Sequence, residues 1–180
     1  MKLIFLILFN ILFLTLSSQD RVFPKERLLN KDIKKHFNVI NYHYKLNSNS
    51  NDLILYSLYG NDSLIGYMYT SRVNSCRTGG CSINKTNNNN NNGNYEYFEY
   101  YILFNKNKDI ENVRVFNYQA THGQEISSKN WLKQFRGYNV NKGIKVGKDI
   151  DAISGATISV YAITSDIENI CKRIQDVKPQ

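Results

Sequence analysis

A short loop ahead of the last predicted helix combines small residues with a hydroxyl group. Residues 151–157 read Asp-Ala-Ile-Ser-Gly-Ala-Thr. Ser154, Gly155 and Ala156 are small, so another molecule can approach the backbone closely. Thr157 stands at the mouth of the helix, where unpaired N–H groups and a partial positive charge favour a bound phosphate. The loop is therefore a candidate phosphate site, and the alternative is an ordinary Ser/Thr helix cap.

The order of residues in this loop resembles a known motif. Asp-x-x-Ser-Gly-Ala-Thr followed by a helix is similar to the flavinylation motif of the FMN-binding domain family, as in the RnfG/NqrC-type subunits of ion-pumping electron-transport complexes. In that family the last threonine carries FMN through a phosphoester bond, which a flavin transferase installs from FAD. The resemblance implies covalent FMN on Thr157, with Asp151 as the acidic residue that opens the motif.

A second segment, residues 118–126, adds to this resemblance. It follows a predicted strand and is similar to the His-Glu-Thr-Pro-Gly stretch of the family, although its order is Thr-His-Gly-Gln-Glu and it has no proline. Gly123 lets the backbone approach a flat ring, and Thr121, His122 and Gln124 can form hydrogen bonds with the edge of that ring. The alternative is a strand end that turns into a helix.

Two of the three cysteines flank a Gly-Gly turn. Cys76 and Cys81 are separated by Arg-Thr-Gly-Gly, which can bring the two sulfurs together. We expect a structural disulfide, with a redox pair that exchanges electrons with a nearby flavin as the sharper alternative. A metal site is disfavoured because the histidines His43 and His122 are remote in sequence. Cys171 lies beside an apolar helix stripe and is expected to be a buried free thiol.

Other residues near the motif have both an ordinary and a functional interpretation. Trp131 and Phe135 are one helical turn apart, so they could stack on a flavin, but core packing is the favoured interpretation. Lys142, Lys145 and Lys148 precede the motif. They could offset the charge of a phosphate, although a solvated loop is favoured.

The predicted helices and strands that position these residues indicate an α+β domain. A helix over about residues 25–37 comes first and is followed by four to five antiparallel strands, near residues 39–46, 53–60, 64–70, 95–104 and 110–118. Ser127 or Ser128 can cap a short helix. The last helix, over about residues 159–175, carries an apolar stripe with helical spacing: Val160, Ile163, Ile167, Ile170, Ile174 and Val177.

The chain outside these elements consists of a leader and a low-complexity loop. Residues 1–18 begin with one lysine, continue with an apolar run and end in small residues, which predicts a signal peptide or an uncleaved anchor. An FMN-binding domain is expected over residues 25–178, with an asparagine-rich loop at 84–94. Asn61 and Asn84 begin glycosylation sequons, which matter only in a eukaryotic source.

The composition limits the classes of function. With 42% hydrophobic and 13% aromatic residues the chain can bury a core, which excludes a wholly disordered protein. The net charge of +8 is spread over loops and helix faces without an arginine cluster, so nucleic acid is rejected as a partner.

The sequence therefore predicts an exported electron carrier, periplasmic or secreted, with FMN on Thr157 and a redox partner at a membrane. Two alternatives stay open. One is a secreted, disulfide-containing binding or structural module without a cofactor. The other is a stand-alone flavin reductase, which ranks lower because no general acid or base stands out.

Overall fold

The computed structural model describes residues 22–47, 53–77 and 95–178, without the side chains of residues 76 and 77. One helix, five consecutive strands and then further helices follow one another in the order that the sequence predicts. The elements, in chain order, are α1 (Glu26–Phe37), β1 (His43–Leu46), β2 (Leu55–Gly60), β3 (Ser63–Arg77), β4 (Tyr95–Asn105), β5 (Ile110–Tyr118), α2 (Lys129–Leu132) and α3 (Thr157–Arg173). Short 3-10 turns at Gln124–Ser127, Lys133–Phe135 and Ile174–Asp176 flank α2 and end α3.

The five strands form one antiparallel meander in the order β1-β2-β3-β4-β5. Side chains of β4 alternate between the two faces of the sheet, as the period of two in a strand requires. Phe98, Tyr100 and Ile102 enter the larger core cluster on one face. Tyr101 and Leu103 enter a smaller cluster on the other face. Because both sets are buried, helices cover both faces of the sheet, and the predicted α+β class is confirmed.

Helix α3 covers the larger cluster with its apolar stripe. All six residues of the predicted stripe are buried in this cluster. Trp131 and Phe135 pack there as well, with ring centroids 5.4 Å apart in an edge-to-face arrangement. The core interpretation of this aromatic pair is therefore confirmed.

Helix α1 covers the opposite face and is held there by a buried carboxylate. Leu29 and Ile33 pack against the smaller cluster. Between them Asp32, 1% exposed, accepts a hydrogen bond of 2.6 Å from the Tyr101 hydroxyl and a two-pronged ion pair from Arg114. Burial alone would raise the pKa of Asp32, but the hydrogen bonds from Arg114 and Tyr101 and the charge of Arg114 outweigh it and lower the pKa.

Several element boundaries differ from the expected ones. Strand β1 is shorter because Asn38 ends α1 in the left-handed region and residues 39–42 lead into the sheet as irregular chain. Strand β3 continues well beyond Thr70 to pair with the beginning of β4. Ser128 occupies the position before α2, but its side chain makes no capping hydrogen bond, so the expected cap is wrong. Helix α3 begins at Thr157, two residues earlier than expected.

The predicted leader at 1–18 and the asparagine-rich loop at 84–94 lie outside the described residues, and both stay predictions. Within residues 22–47, 53–77 and 95–178, no helix combines the length and apolar character that a bilayer crossing requires.

The buried ion pair gives a stability prediction. Asp32→Asn should lower the free energy of unfolding by about 3 kcal/mol, because the Arg114 guanidinium would lose the carboxylate that pairs with it. The folded pKa of Asp32 is lowered, so its contribution is present above the ordinary value of 3.8 and is lost as the pH falls below it. Urea unfolding measured at pH 7 and pH 3 should show a larger loss on acidification for the unmodified protein than for the variant.

The matched control is Glu168→Gln, which breaks the exposed Lys172–Glu168 pair on α3. Exposed pairs contribute little, so we expect a change below about 0.5 kcal/mol. Equal effects of the two substitutions would contradict the assigned role of Asp32.

Candidate functional site

Thr157 is the first residue of α3 and is exposed to solvent. The residue before it, Ala156, is the N-cap and is 2% exposed. Within the part of the chain that the structure describes, no side chain caps this helix, so neither Ser154 nor Thr157 is the ordinary Ser/Thr cap that formed the alternative interpretation. The Thr157 hydroxyl thus stands at an uncapped helix beginning and is accessible.

The first turn of α3 presents backbone donors without protein acceptors. The first helical hydrogen bond runs from the Val160 N–H to the Ala156 carbonyl, at 2.9 Å. Among the described residues no acceptor faces the N–H groups of Thr157, Ile158 and Ser159. Because α3 has 17 residues, its aligned peptide dipoles add a partial positive charge here. This donor set fits an oxyanion such as a phosphate group.

The chain before Thr157 leaves space for that anion. Gly155 has a φ of +81°, and a Cβ added at this position would meet no atom of the described residues within 4 Å. Ser154 is exposed beside it. Two contacts fix the start of the motif: the Trp131 indole N–H donates to the Asp151 carbonyl at 2.9 Å, and the Asp151 N–H donates to the Gln134 side chain at 2.9 Å. The Asp151 carboxylate itself is exposed.

A chain of hydroxyl groups joins α3 to the second predicted segment. The Tyr118 hydroxyl lies 2.6 Å from the His122 carbonyl and 3.2 Å from the Ser159 hydroxyl, which is itself 2.8 Å from the Ser75 hydroxyl. A phenol has one proton, and the His122 carbonyl can only accept it. Ser159 must therefore donate to Tyr118, and Ser75 to Ser159. We call these four groups the hydroxyl relay.

Gly123 packs directly against the hydroxyl relay. It is buried with a φ of +86°, and a Cβ would lie 2.8 Å from the Ser159 hydroxyl and 3.0 Å from the Tyr118 hydroxyl. Only glycine fits this close approach without displacement. The two predicted segments therefore meet: the loop at Gly123 lies against Ser159, which is two residues after Thr157 in the first turn of α3.

The neighbours of Gly123 differ in their availability to a ligand. The Thr121 N–H and hydroxyl both donate to the Glu96 carboxylate, at 3.0 and 2.8 Å. These bonds lower the pKa of Glu96, with the nearby His122 adding to the effect. The Thr121 hydroxyl is thus already engaged, whereas the His122 side chain is exposed.

The structure tests the predictions for the three lysines and for Cys171, but not the predicted disulfide. Lys142, Lys145 and Lys148 are exposed, in agreement with a solvated loop. Cys171 is free and 2% exposed, as expected, and burial raises the pKa of its thiol to about 12. The Cys76 side chain and all of Cys81 lie outside the described residues, so the disulfide stays a prediction.

Several residues of this site were not predicted from the sequence. Ser75 and Ser159 are 84 positions apart, and no local pattern connects them. Tyr161 could have been found, because position i+4 of a helix lies above position i and Thr157 was already singled out. Tyr161 is 57% exposed and Ile158 is 41% exposed, so two large apolar side chains flank Thr157 in solvent.

Two glycines with positive φ provide a matched test of the relay contact. Gly123→Ala and Gly155→Ala impose the same left-handed conformation on alanine, at a cost of about 1 kcal/mol each. Gly123→Ala also forces a Cβ against the hydroxyl relay, whereas Gly155→Ala does not. We therefore expect Gly123→Ala to lower the free energy of unfolding by about 3 kcal/mol in total. Chemical unfolding of both variants measures the difference, and similar losses would contradict the tight packing at Gly123.

Comparison with known proteins supports a flavin at this site. Residues 95–172 match the sequence profile of the FMN-binding domain family, and a search of curated proteins finds no match to the chain. The matched region starts with β4 and ends within α3, so it includes the relay residues Tyr118 and Ser159, the loop at Gly123 and the whole Asp151–Thr157 motif. Residues 95–172 are thus similar to an FMN-binding domain, and this match supports a flavin-binding role for the protein.

Proposed function

We propose that this protein is an exported electron carrier with FMN attached covalently to Thr157. The observation that carries the proposal is the exposed Thr157 hydroxyl at an uncapped helix beginning, inside a segment of the FMN-binding domain family. The N–H groups of residues 157–159 would hold the phosphate, and Gly155 and Ser154 would leave it room. Bound FMN supplies one- and two-electron transfer, and the protein supplies attachment and orientation.

Attachment requires a flavin transferase and FAD. The Thr157 oxygen attacks the flavin-side phosphorus of FAD and forms a phosphoester bond. The pyrophosphate bond breaks, AMP leaves, and the threonine proton passes to a base of the transferase. The positive end of α3 would stabilise the phosphate charge, because unpaired N–H groups there point outward.

The exposed side chains on the first turn of α3 offer contacts for the flavin ring. Tyr161 is one helical turn after Thr157 and therefore lies on the same face of the helix. With 57% of its surface in solvent it has a free aromatic face, on which an isoalloxazine tethered to Thr157 could stack. Ile158 adds apolar surface beside it.

An electron carrier fits the site better than a stand-alone reductase does. The relay hydroxyls near the motif are bound to one another, and burial raises the pKa of Tyr118, which makes it a poor general acid at neutral pH. A cofactor-free binding module is disfavoured because residues 95–172 match a flavin-binding family.

The proposed location of the protein and its redox partner depend on the predicted leader at residues 1–18. Export would place the protein in the periplasm or outside the cell, or at a membrane if the leader is not cleaved. A redox partner at that membrane would exchange electrons with FMN. A structural disulfide between Cys76 and Cys81 belongs to the same proposal, since export favours oxidation.

Removing the attachment hydroxyl tests the covalent bond. After coexpression with a flavin transferase, the unmodified protein should show flavin fluorescence that survives denaturing electrophoresis, and a mass larger by one FMN less water. Thr157→Ala should lose both completely, because no oxygen remains to form the ester. Ser165→Ala, which removes another exposed hydroxyl of α3, should keep them. An unmodified protein without the adduct would refute covalent attachment.

Flavin fluorescence tests the proposed stacking of Tyr161 on the flavin ring. A stacked tyrosine quenches flavin fluorescence, so Tyr161→Leu should raise the fluorescence per attached FMN and shift the flavin absorption band. Tyr44→Leu, on the distant strand β1, also replaces a partly exposed tyrosine and should change neither property. Identical spectra for the Tyr161 variant and the unmodified protein would refute the stacking contact but leave attachment intact.

A further inference from the structure

A second concave site lies between α1 and the segment around α2, away from the motif. It has a volume of about 320 Å³, which is at the lower end for small-molecule sites. Val113 of β5 and Leu132 of α2, both nearly fully buried, contribute apolar surface to its lining. We call it the basic cavity, because six of its ten lining side chains are basic and one is acidic.

Three lysines of the basic cavity have no carboxylate partner among the described residues. Lys35 comes from the last turn of α1, whereas Lys129 and Lys133 come from the segment across the cavity. None of them takes part in an ion pair, and Lys133 only donates a weak hydrogen bond of 3.3 Å to Asn130. All three lysines are exposed, and they place three positive charges along the lining of one cavity without a carboxylate partner among the described residues.

The two arginines that line the basic cavity already form ion pairs with carboxylates. The Arg114 guanidinium is fixed by Asp32, so its position does not depend on a ligand. Arg136 lies 3.2 Å from Glu111, which is the one acidic side chain in the lining. The positive charge that is not paired with a carboxylate thus comes from the lysines, because each of the two arginines already has a carboxylate partner.

His36 gives the basic cavity a reporter. Its imidazole lies in the lining and is half-buried. Burial lowers its pKa, Lys35 and Arg136 lower it further, and Asp32 and Glu111 act in the opposite direction. An anion placed in the cavity would favour the charged imidazolium and raise this pKa.

We propose that the basic cavity binds a small organic polyanion with two or more phosphate or carboxylate groups. Two or three negative charges would match the unpaired lysines, and the apolar surface of Val113 and Leu132 would contact a short carbon skeleton. The motif and α3 take no part in the lining, so this site is independent of the proposed flavin attachment.

Titration of the purified protein with pyrophosphate and with citrate, at constant ionic strength, tests this assignment. NMR of the imidazole groups reports it, since the chain has three histidines. We expect a saturable shift of the His36 resonances and a rise of its pKa. The resonances of His43, a β1 residue that stacks on Tyr59 of β2, should stay unchanged. Acetate should not shift the His36 resonances. A response to pyrophosphate alone assigns phosphate esters, and a response to citrate alone assigns polycarboxylates.

Charge variants separate a defined site from general electrostatic attraction. Lys129→Gln/Lys133→Gln should weaken binding at least about tenfold, because two charged donors are lost. Lys142→Gln/Lys145→Gln removes the same charge from an exposed loop outside the lining and should leave the affinity unchanged. The absence of saturable binding of either anion up to about 10 mM, or an equal loss in both double variants, would overturn the proposal.

Discussion

The hydroxyl relay is the constraint that determines where α3 begins. It links Ser75 near the end of β3 to Ser159, Tyr118 and the His122 carbonyl, so three separate parts of the chain meet at polar atoms, of which the Ser75 and Ser159 hydroxyls are buried. Apolar packing along α3 would tolerate a small slide of the helix over the sheet. A buried hydroxyl that loses its partner costs about 1–3 kcal/mol, so the relay does not tolerate the same slide. The rest of the site takes its position from this junction.

The two faces of the sheet are organised by different kinds of contact. On the α1 face a single carboxylate, Asp32, collects donors from β4 and β5 and fixes the helix by charge. On the α3 face an extended apolar stripe packs against the sheet, and directional contacts occur both at the relay and further along α3, where the Tyr100 hydroxyl donates to Asp166 at 2.6 Å. The ion pair and the relay are on opposite faces of the sheet, and the loop before α3 is open to solvent at Ser154, Gly155 and Thr157.

Local patterns in the sequence predicted what is local in the structure. The six-residue stripe, which runs from α3 into the residues after it, and the bounds of β5 were correct because helical spacing and a run of strand-forming residues after a turn are local signals. The extension of β3 was missed because Arg72 and Asn74 are polar, and only pairing with β4, with Arg72 bound to Glu99, explains them as strand residues. The relay could not be predicted either, since Ser75 and Ser159 acquire meaning only from the tertiary fold. The exposed Thr157 was singled out because the motif encodes chemistry in consecutive residues.

Helical geometry distinguishes the hydroxyl that can react from the one that cannot. Thr157 and Ser159 are two positions apart, which rotates their side chains by about 200° around the helix axis. Thr157 is therefore exposed, whereas Ser159 is 2% exposed and engaged in the relay. A transferase that approaches the start of α3 from solvent would meet the Thr157 oxygen, while the Ser159 oxygen faces the sheet. Under the proposed attachment to Thr157, the relay that engages Ser159 would therefore also keep this neighbouring hydroxyl of the helix from reacting.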